Sequence, residues 1–575
     1  MNKATQVSPA LEKRITHAKI FARLHLWGIV GSMIMFVLAL TPSLLPRTWF
    51  YQGIISGWAA GFGYLIGIAL HWFYRRFIRG LRPWLHASNW SIRQQKWARR
   101  ILITLGTVWV LVMVGFSYSW QLTLAHAAGT KTWTWWQVAA IPVVAFAMFF
   151  LVIGIFRFLN WSANRLFDAT PQFIKPRARS VLAWVIVLML AVWFFHNAVP
   201  GAIVGVGERV FSAQNRDPDP AVTAPIQPER SGSPDSAVDF DGVGFYGSRF
   251  VAGGATAEEL TAATGKKAKE PIRVYAGLGN ALDPQERAQL LIDELERTNA
   301  KDRKALLFMM TTGTGWVSAY ATQSFELLYG GDTAIAAGQY SAMPSALHFL
   351  AGGEQVQAAN SDLLSPLINW WNELPEGDRP KLYLYGESLG STGVEASFSG
   401  LRDVANSVDG ILLTGSPHFN PLRSQFVERR DPGTTETNPV YGDGLMVRFA
   451  SDAEQVRPWV TKDDEDWAAQ RLLYIHHPSD PVSWWSFKMA FQEPDWLSEP
   501  LPGGQERAMT WMPLVSFLQV TADLPVAANV PDGYGHNYGD SVLVGFAAIG
   551  GLQLSDAELK RYEDILSKLR GDTPK

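Results

Sequence analysis

The sequence predicts two parts: a multi-span α-helical membrane domain followed by an α/β domain with a mostly parallel sheet flanked by helices. Long apolar stretches occur within residues 1–211, which carry 21 Lys and Arg against three acidic residues, a charge of +18. The remaining residues hold 29 basic and 49 acidic side chains, a charge of −20. Beyond residue 240, short β-rich runs alternate with longer helical patterns, which is typical of a parallel sheet covered by helices.

The composition excludes several classes of function. The 575 residues include no cysteine, so disulfides, thiolate metal sites and cysteine nucleophiles are excluded. The opposite charges of the two halves indicate two environments and no nucleic-acid partner. The sequence lacks an H-E-x-x-H motif and a phosphate-binding glycine loop, so we expect no metal and no cofactor.

About five stretches of the first 211 residues have the length of roughly 20 apolar residues that a membrane-spanning helix needs. Arg157, near one end of a stretch, is the one charged residue within them. The expected spans are Leu24 to Leu44, Gly53 to Phe73, Ile101 to Leu122, Val138 to Leu159 and Ser180 to Val199.

The basic residues orient these spans, because Lys and Arg accumulate on the cytoplasmic side. They cluster before the first span and within residues 75–100 and 165–179, whereas the alternate loops carry only Arg47 and Lys131. We therefore expect a cytoplasmic N-terminus and a globular domain outside the cytoplasm. A sixth span that included Ala202 to Val206 would place that domain in the cytoplasm instead.

Residues 212–239 are rich in Pro, Ser and Asp, which indicates a flexible linker before a globular domain of residues 240–575. No internal repeat is found. The β-rich runs are Ile272 to Ala276, Ala305 to Met310, Thr333 to Ala337, Lys381 to Tyr385, Gly410 to Thr414 and Leu472 to His476.

A candidate nucleophile, Ser388, follows the fourth of these runs in the pentapeptide Gly386-Glu387-Ser388-Leu389-Gly390. A lone Gly-x-Ser-x-Gly is weak evidence, since a sequence with 50 glycines often contains one by chance. Here it lies between a predicted strand and a helix-compatible stretch, as the nucleophile elbow of α/β-hydrolases requires. Gly386 and Gly390 relieve crowding around the strained serine. The domain is therefore predicted to be an α/β-hydrolase.

A serine hydroxyl needs a base, and the base needs an acid to orient it. In this fold the acid and the histidine follow the serine in that order. Asp480 follows the sixth run, and His536 lies in the later segment Gly535-His536-Asn537-Tyr538-Gly539. The rival histidines lie beside strands or helices, or precede the acid, and each could be a core residue. They are His348, His418, His476 and His477.

The oxyanion of the reaction requires backbone N–H donors. Leu389, directly after the nucleophile, is one expected donor. The other is expected at Gly313 or Thr314, in the glycine-containing loop that follows the second run. The loop of residues 277–280, after the first run, is the competing location.

These motifs together resemble the bacterial membrane-anchored α/β-hydrolases, which combine a multi-span N-terminal module with a C-terminal hydrolase domain. The resemblance implies a multi-pass protein of the bacterial cytoplasmic membrane with a Ser-His-Asp triad, and it says little of the substrate. It covers most of the chain. It rests on residues 312–316, 331–333, 339–341, 381–391, 479–482, 484–485 and 535–539, with Gly277-Leu278 after the first run.

Two long segments, Phe419 to Gln470 and Trp484 to Val530, are expected to be insertions over the site. The second segment is rich in aromatic residues, which are expected either to pack in the core or to form a wall around an acyl chain. Tethering at a bilayer raises the local concentration of lipid substrates. We therefore expect an esterase acting on lipid or lipid-linked esters, with the bilayer as partner. An acyltransferase with the same triad and a non-catalytic membrane-tethered binding module are the alternatives. The sequence does not set the oligomeric state.

Overall fold

The computed structural model describes residues 24–78, 91–171, 173–199, 201–202, 205–206, 210–211, 215–350, 354–462, 467–501 and 507–571. It divides into two compact units. The helical unit comprises Met1–Val187, Lys488–Glu493 and Ala508–Asp523. The sheet unit comprises Leu188–Phe487, Pro494–Arg507 and Leu524–Lys575. The unit boundary at residue 187 precedes the boundary expected at residue 211, and two late segments join the helical unit.

Five α-helices form in the described part of the N-terminal region. They are α1 (Leu26–Ala39), α2 (Trp49–Phe73), α3 (Ile92–Ala127), α4 (Trp135–Ala169) and α5 (Pro176–Trp193). Four helices of the described residues are long and apolar enough to cross a membrane. These candidate spans are Trp49–Phe77, Lys96–Ala127, Trp135–Ala169 and Pro176–Ala198.

The first expected span is shorter in the structure than the sequence indicates. Helix α1 has 14 residues and ends at Ala39, because the prolines of the following segment, Pro42 and Pro46, cannot continue a helix. At about 1.5 Å per residue its length is roughly 21 Å, below the roughly 30 Å of a hydrocarbon core. Among the described residues, four helices therefore have spanning length, where the sequence predicts about five spans. Helix α1 packs on α2 where Gly31 and Gly63 face each other, and a Cβ on either would overlap the other's carbonyl.

The sheet unit contains a parallel seven-stranded sheet with the order β1-β3-β2-β4-β5-β7-β6. The strands are β1 (Ile272–Ala276), β2 (Ala305–Met310), β3 (Thr333–Gly338), β4 (Lys381–Glu387), β5 (Gly410–Thr414), β6 (Val447–Ala450) and β7 (Arg471–Ile475). The α/β class and its six expected strands are confirmed. The four-residue strand β6 lies in a segment expected to be an insertion, and it is short because it forms the edge of the sheet.

The remaining α-helices of the described residues connect and cover the strands, except for one that belongs to the helical unit. They are α6 (Gly244–Ala252), α7 (Ala257–Thr264), α8 (Pro284–Arg297), α9 (Ala319–Leu328), α10 (Ser345–Leu350), α11 (Glu354–Glu373), α12 (Leu389–Ala396), α13 (Leu401–Ser407), α14 (Pro421–Glu428), α15 (Ala453–Val456), α16 (Pro458–Thr461), α17 (Pro481–Trp484), α18 (Asp495–Ser498), α19 (Val515–Asp523), α20 (Gly539–Ile549) and α21 (Asp556–Gly571).

The two faces of the sheet bury separate apolar cores, because successive side chains of a strand point to opposite faces. In β2, Phe308 packs in the core that includes Leu291 of α8, whereas Leu307 packs in the core that includes Phe546 of α20. All residues of β2 are buried. Helices on both faces explain why the central strands are apolar throughout.

The described residues of the expected flexible linker differ from that expectation, since they pack in the sheet unit. The Ser231 N–H donates to the Arg273 carbonyl at 3.0 Å, and the Arg273 N–H donates to the Glu229 carbonyl at 3.1 Å. The Arg230 side chain is buried and bonds Glu270 at 2.9 Å. A Pro- and Ser-rich composition lowers apolar burial, but it does not prevent backbone pairing along the open edge of β1.

A late helix of the chain is part of the helical unit. Val515 of α19 packs with Ala39 and Ala59. At its C-terminal end the Asp523 carboxylate accepts from the Ser43 hydroxyl at 2.9 Å and pairs with Arg47 Nε at 3.3 Å. The Arg47 and Asp523 side chains are both fully buried. Removing one partner of such a buried pair strongly destabilises the fold, because the other charge stays buried and unpaired.

We expect Asp523→Ala to destabilise the helical unit by about 3 to 5 kcal/mol, because the Arg47 charge would remain buried without a carboxylate. The measurement is the thermal unfolding midpoint of the full chain in detergent. The matched control is Asp409→Ala, which removes the partner of the exposed Lys381 side chain and should cost far less, despite an additional backbone bond to Leu382. Equal midpoints for the two variants would contradict this prediction.

Candidate active site

Ser388 lies at the turn between β4 and α12, in a backbone conformation that non-glycine residues rarely adopt. Its φ is 56° and its ψ is −127°. The flanking glycines make this turn possible, since a Cβ on Gly386 would lie 2.6 Å from the Ser391 Cα, and a Cβ on Gly390 would overlap the Met310 carbonyl. The strand, strained serine and helix have the geometry of a nucleophile elbow.

Asp480 follows β7 and is the N-cap of α17. Its carboxylate is completely buried. Oδ1 accepts from the Val482 N–H at 2.8 Å, and Oδ2 accepts from the Ser483 hydroxyl at 2.9 Å and from the Tyr538 hydroxyl at 2.7 Å. The Nδ1 atom of His536 lies 2.7 Å from the same Oδ2. Four polar partners satisfy a charge that would otherwise be costly to bury.

Of the five candidate histidines, His536 is the one whose ring bonds Asp480 in the described part of the chain. His348 Nε2 lies 2.8 Å from the Ser341 hydroxyl, and His477 Nδ1 lies 2.9 Å from the Gly535 carbonyl. The His476 ring stacks on Tyr474 in the core, at a centroid distance of 5.7 Å. The rings of His348, His476 and His477 thus have other hydrogen-bond or packing partners than the Asp480 carboxylate.

The end of β5 lies against both Ser388 and His536. The Ser388 N–H donates to the Thr414 carbonyl at 3.0 Å. At the next residue, Gly415, a Cβ would lie 2.5 Å from the His536 Cε1. Since β4, β5 and β7 are consecutive neighbours in the parallel sheet, Ser388 and Asp480 follow the same edge. The predicted serine, acid and histidine therefore all lie at the carboxyl end of the central strands, with no hydrogen bond from Ser388 to His536 among the described contacts.

The protonation of His536 is set by opposing effects. Burial alone lowers its pKa, but the charge and hydrogen bond of Asp480 and the charge of Glu387 raise it, and the net pKa lies above the ordinary value of 6.5. When Nδ1–H donates to Asp480, the neutral ring has its lone pair on Nε2. That nitrogen is buried and has no hydrogen-bond partner among the described residues. His536 Nε2 is thus available to accept a proton.

The N–H groups expected to bind the oxyanion differ in whether they already have an acceptor. Leu389 begins α12, so its N–H has no acceptor within the helix. The loop of Gly313 and Thr314 follows β2, which neighbours β4 in the sheet. The Gly313 N–H already donates to the Ser345 hydroxyl at 3.0 Å, which makes Thr314 the better candidate of the two.

The competing loop after β1 is less suited to this role. It lies two strands farther along the sheet from β4 than the loop after β2. The Gly277 N–H donates to the Asn280 side chain at 2.8 Å, and the Leu278 N–H donates to the Gln339 side chain at 3.2 Å. The N–H groups of Gly277 and Leu278 therefore already have acceptors within the protein.

Aromatic side chains from the segments that follow β3, β5 and β7 meet at the carboxyl edge of the sheet. Phe349 lies 5.4 Å from Phe419 and 5.4 Å from Trp485, measured between ring centroids. Trp484 and Trp496 of the second long segment are instead core residues, with 1% and 0% of their surface exposed. Part of the aromatic wall expected from the sequence is therefore core packing. Trp485 lies instead in a cluster with Phe349 and Phe419.

Two residues that hold Asp480 were missed by sequence reasoning. Tyr538 donates to Asp480, and burial raises the pKa of its hydroxyl well above the usual value, so it stays a donor. Ser483 is the other. Both follow a predicted catalytic residue within three positions, and this proximity is the signal that could have found them. No group of three or more metal-ligating side chains is found in the described residues.

We expect Gly390→Ala to destabilise the sheet unit by about 1 to 3 kcal/mol, because the new methyl group would displace the elbow from the β2 backbone. Gly377→Ala is the control, since a Cβ there meets no atom within 4 Å, and its effect should stay within about 0.5 kcal/mol. Thermal unfolding of both variants checks this. A Gly390→Ala protein as stable as the control would refute the close approach.

Comparison with known families gives two matches that together cover most of the chain. Residues 272–562 match the alpha/beta-hydrolase family, whose members are generally hydrolytic enzymes. Residues 40–255 match the N-terminal region of an alpha/beta-hydrolase family. No curated protein and no solved structure matches this sequence. The chain, with its parallel sheet and its four apolar N-terminal helices, belongs to the alpha/beta-hydrolase family.

Proposed function

We propose that this protein is a membrane-bound serine ester hydrolase that acts through an acyl-enzyme. Ser388 is the nucleophile, His536 the general base and acid, and Asp480 the carboxylate that orients His536. The observation that carries the proposal is the 2.7 Å contact between the His536 Nδ1 and the buried Asp480, at the same sheet edge as the strained Ser388.

The proposed reaction has two steps. His536 Nε2 removes the proton from the Ser388 hydroxyl as the oxygen attacks the ester carbonyl, and it then gives that proton to the leaving alcohol. Water attacks the acyl-enzyme with the same base, which releases the acid and restores the serine. The N–H groups of Leu389 and Thr314 stabilise the oxyanion in each step. Buried Asp480 stabilises the imidazolium that forms in between.

The proposed substrates are lipid or lipid-linked esters. Four apolar helices of spanning length support association with a bilayer, which concentrates such substrates beside the enzyme. The cluster of Phe349, Phe419 and Trp485 offers apolar surface for an acyl chain at the edge of the sheet where Ser388 lies.

We further propose that the catalytic domain lies outside the cytoplasm. Residues 75–100 reach into the start of α3, and residues 165–179 run from the end of α4 into the start of α5. The two spans α3 and α4 therefore separate these basic segments and place them on one side. The positive-inside tendency makes that side cytoplasmic. The chain then crosses once more, through α5, before the sheet unit begins its strands. This assignment is independent of whether α1 spans the membrane.

Reaction with a fluorophosphonate probe tests the nucleophile. We expect the wild-type protein to be labelled and Ser388→Ala to lose labelling completely, because the probe forms a bond with an activated serine. Ser407→Ala, which removes a hydroxyl of α13 that bonds Asp403, should be labelled like the wild type. Labelling of Ser388→Ala at the wild-type rate would eliminate Ser388 as nucleophile.

The same two proteins test the substrate class. Lipid extracts of cells producing the wild type should contain less of an ester lipid than extracts of cells producing Ser388→Ala. Unchanged lipid esters, together with a labelled Ser388, would point to a soluble ester instead.

The pH dependence tests the base. The raised pKa of His536 means that the ring stays protonated, and cannot accept a proton, up to a higher pH than an ordinary histidine. As the pH falls through that pKa, kcat/KM for a soluble ester should be lost with a midpoint above about 6.5. A midpoint well below that value would argue against His536 as the base.

A further inference from the structure

Glu387, the residue directly before Ser388, places a second carboxylate in the active site. Its Oε2 accepts from the Tyr385 hydroxyl at 2.9 Å. The Tyr385 oxygen also lies 3.1 Å from the Thr414 hydroxyl. Glu387 is therefore held by a tyrosine of its own strand that also contacts β5.

Glu387 and His536 lie against consecutive residues of the same strand end. Glu387 pairs with Thr414 across β4 and β5, and a Cβ on the next residue, Gly415, would lie 2.5 Å from the His536 Cε1. Burial raises the pKa of Glu387, attraction by His536 lowers it, and repulsion by Asp480 raises it. In turn Glu387 contributes to the raised pKa of His536. Asp480 disperses its charge over four hydrogen-bond partners, whereas Glu387 acts on the imidazole without a hydrogen bond between them among the described contacts.

Other titratable groups around His536 do not cancel this charge. Burial lowers the pKa values of His476 and His477, so both rings are neutral near pH 7. Tyr538 packs edge-on against His536 at a centroid distance of 5.8 Å, and its raised pKa keeps it uncharged. Apart from Asp480, the acidic group that acts on the His536 ring is therefore Glu387.

We infer that Glu387 is a second positioning acid of the active site, whose carboxylate, held by the Tyr385 hydroxyl, stabilises the His536 imidazolium through space. The inference rests on the proposed function, in which that imidazolium forms when Ser388 gives up its proton. A residue with a merely structural role would affect folding alone, whereas this role also sets the proton affinity of His536.

The test is the pH profile of kcat/KM for a soluble nitrophenyl ester with wild type and Glu387→Gln. The amide keeps an oxygen for the Tyr385 hydroxyl but removes the charge. We expect the acidic midpoint to fall by about one pH unit and kcat to fall about tenfold, because the imidazolium loses a stabilising charge. Glu387→Asp, which keeps the charge at a longer distance, should restore part of both.

Glu395→Gln is the matched control. Glu395 is also a buried acid with a raised pKa, and it accepts from the Tyr474 hydroxyl at 3.1 Å, in a network that does not include His536. Its acidic midpoint should equal that of the wild type, even where thermal stability falls. This separates the charge effect from destabilisation.

The outcomes distinguish this inference from the proposed function. An active, fluorophosphonate-labelled wild type whose acidic midpoint is unchanged in Glu387→Gln would overturn the role of Glu387 alone. If Glu387→Gln does not fold, Glu387→Asp decides: a smaller downward shift supports the role, and an unchanged midpoint overturns it. A wild type that neither reacts with the probe nor hydrolyses the ester would overturn the proposed function and this role together.

Discussion

The candidate site depends on the burial of one carboxylate. Asp480 has no exposed surface, so each of its lone pairs needs a donor, and the donors come from the start of α17 and from the segment before α20. His536 and Tyr538 both reach the same oxygen. The cost of leaving that oxygen unsatisfied holds the His536 segment against the end of β7. The geometry of the site thus follows from a requirement of folding.

A second constraint is the strain at Ser388. A serine at φ 56° is unfavourable by itself, and it persists because its neighbours leave no alternative. Its N–H is held by the Thr414 carbonyl, and glycines on both sides allow the backbone to approach β2 and α12. The elbow is therefore a product of the sheet order, in which β2 and β5 flank β4. The same order places the Thr314 loop on the neighbouring strand.

The segment between Asp480 and His536 links two environments. Part of it, Ala508–Asp523, belongs to the helical unit, where the Asp523 carboxylate is paired with Arg47 in full burial. Shortly afterwards the chain returns to the sheet unit, where the Ala527 carbonyl accepts from the His536 N–H at 2.8 Å. A linear order of membrane domain, linker and catalytic domain does not describe such a chain. Contacts between residues that are far apart in the sequence determine to which unit a segment belongs.

By itself, the sequence determined the α/β class, six of the strands and the four long apolar helices, because apolar periodicity and span length are local properties. It also placed Ser388, Asp480 and His536 in the chain order of the fold. The tertiary structure alone decided the pairing of Asp480 with His536, the engagement of the Gly313 N–H by Ser345, and the pairing of Glu387 with Thr414 across β4 and β5. It also decided that residues 229–231 pair with β1 and that α19 joins the helical unit. These depend on which buried polar groups find partners across long sequence separations, and no local pattern encodes that choice.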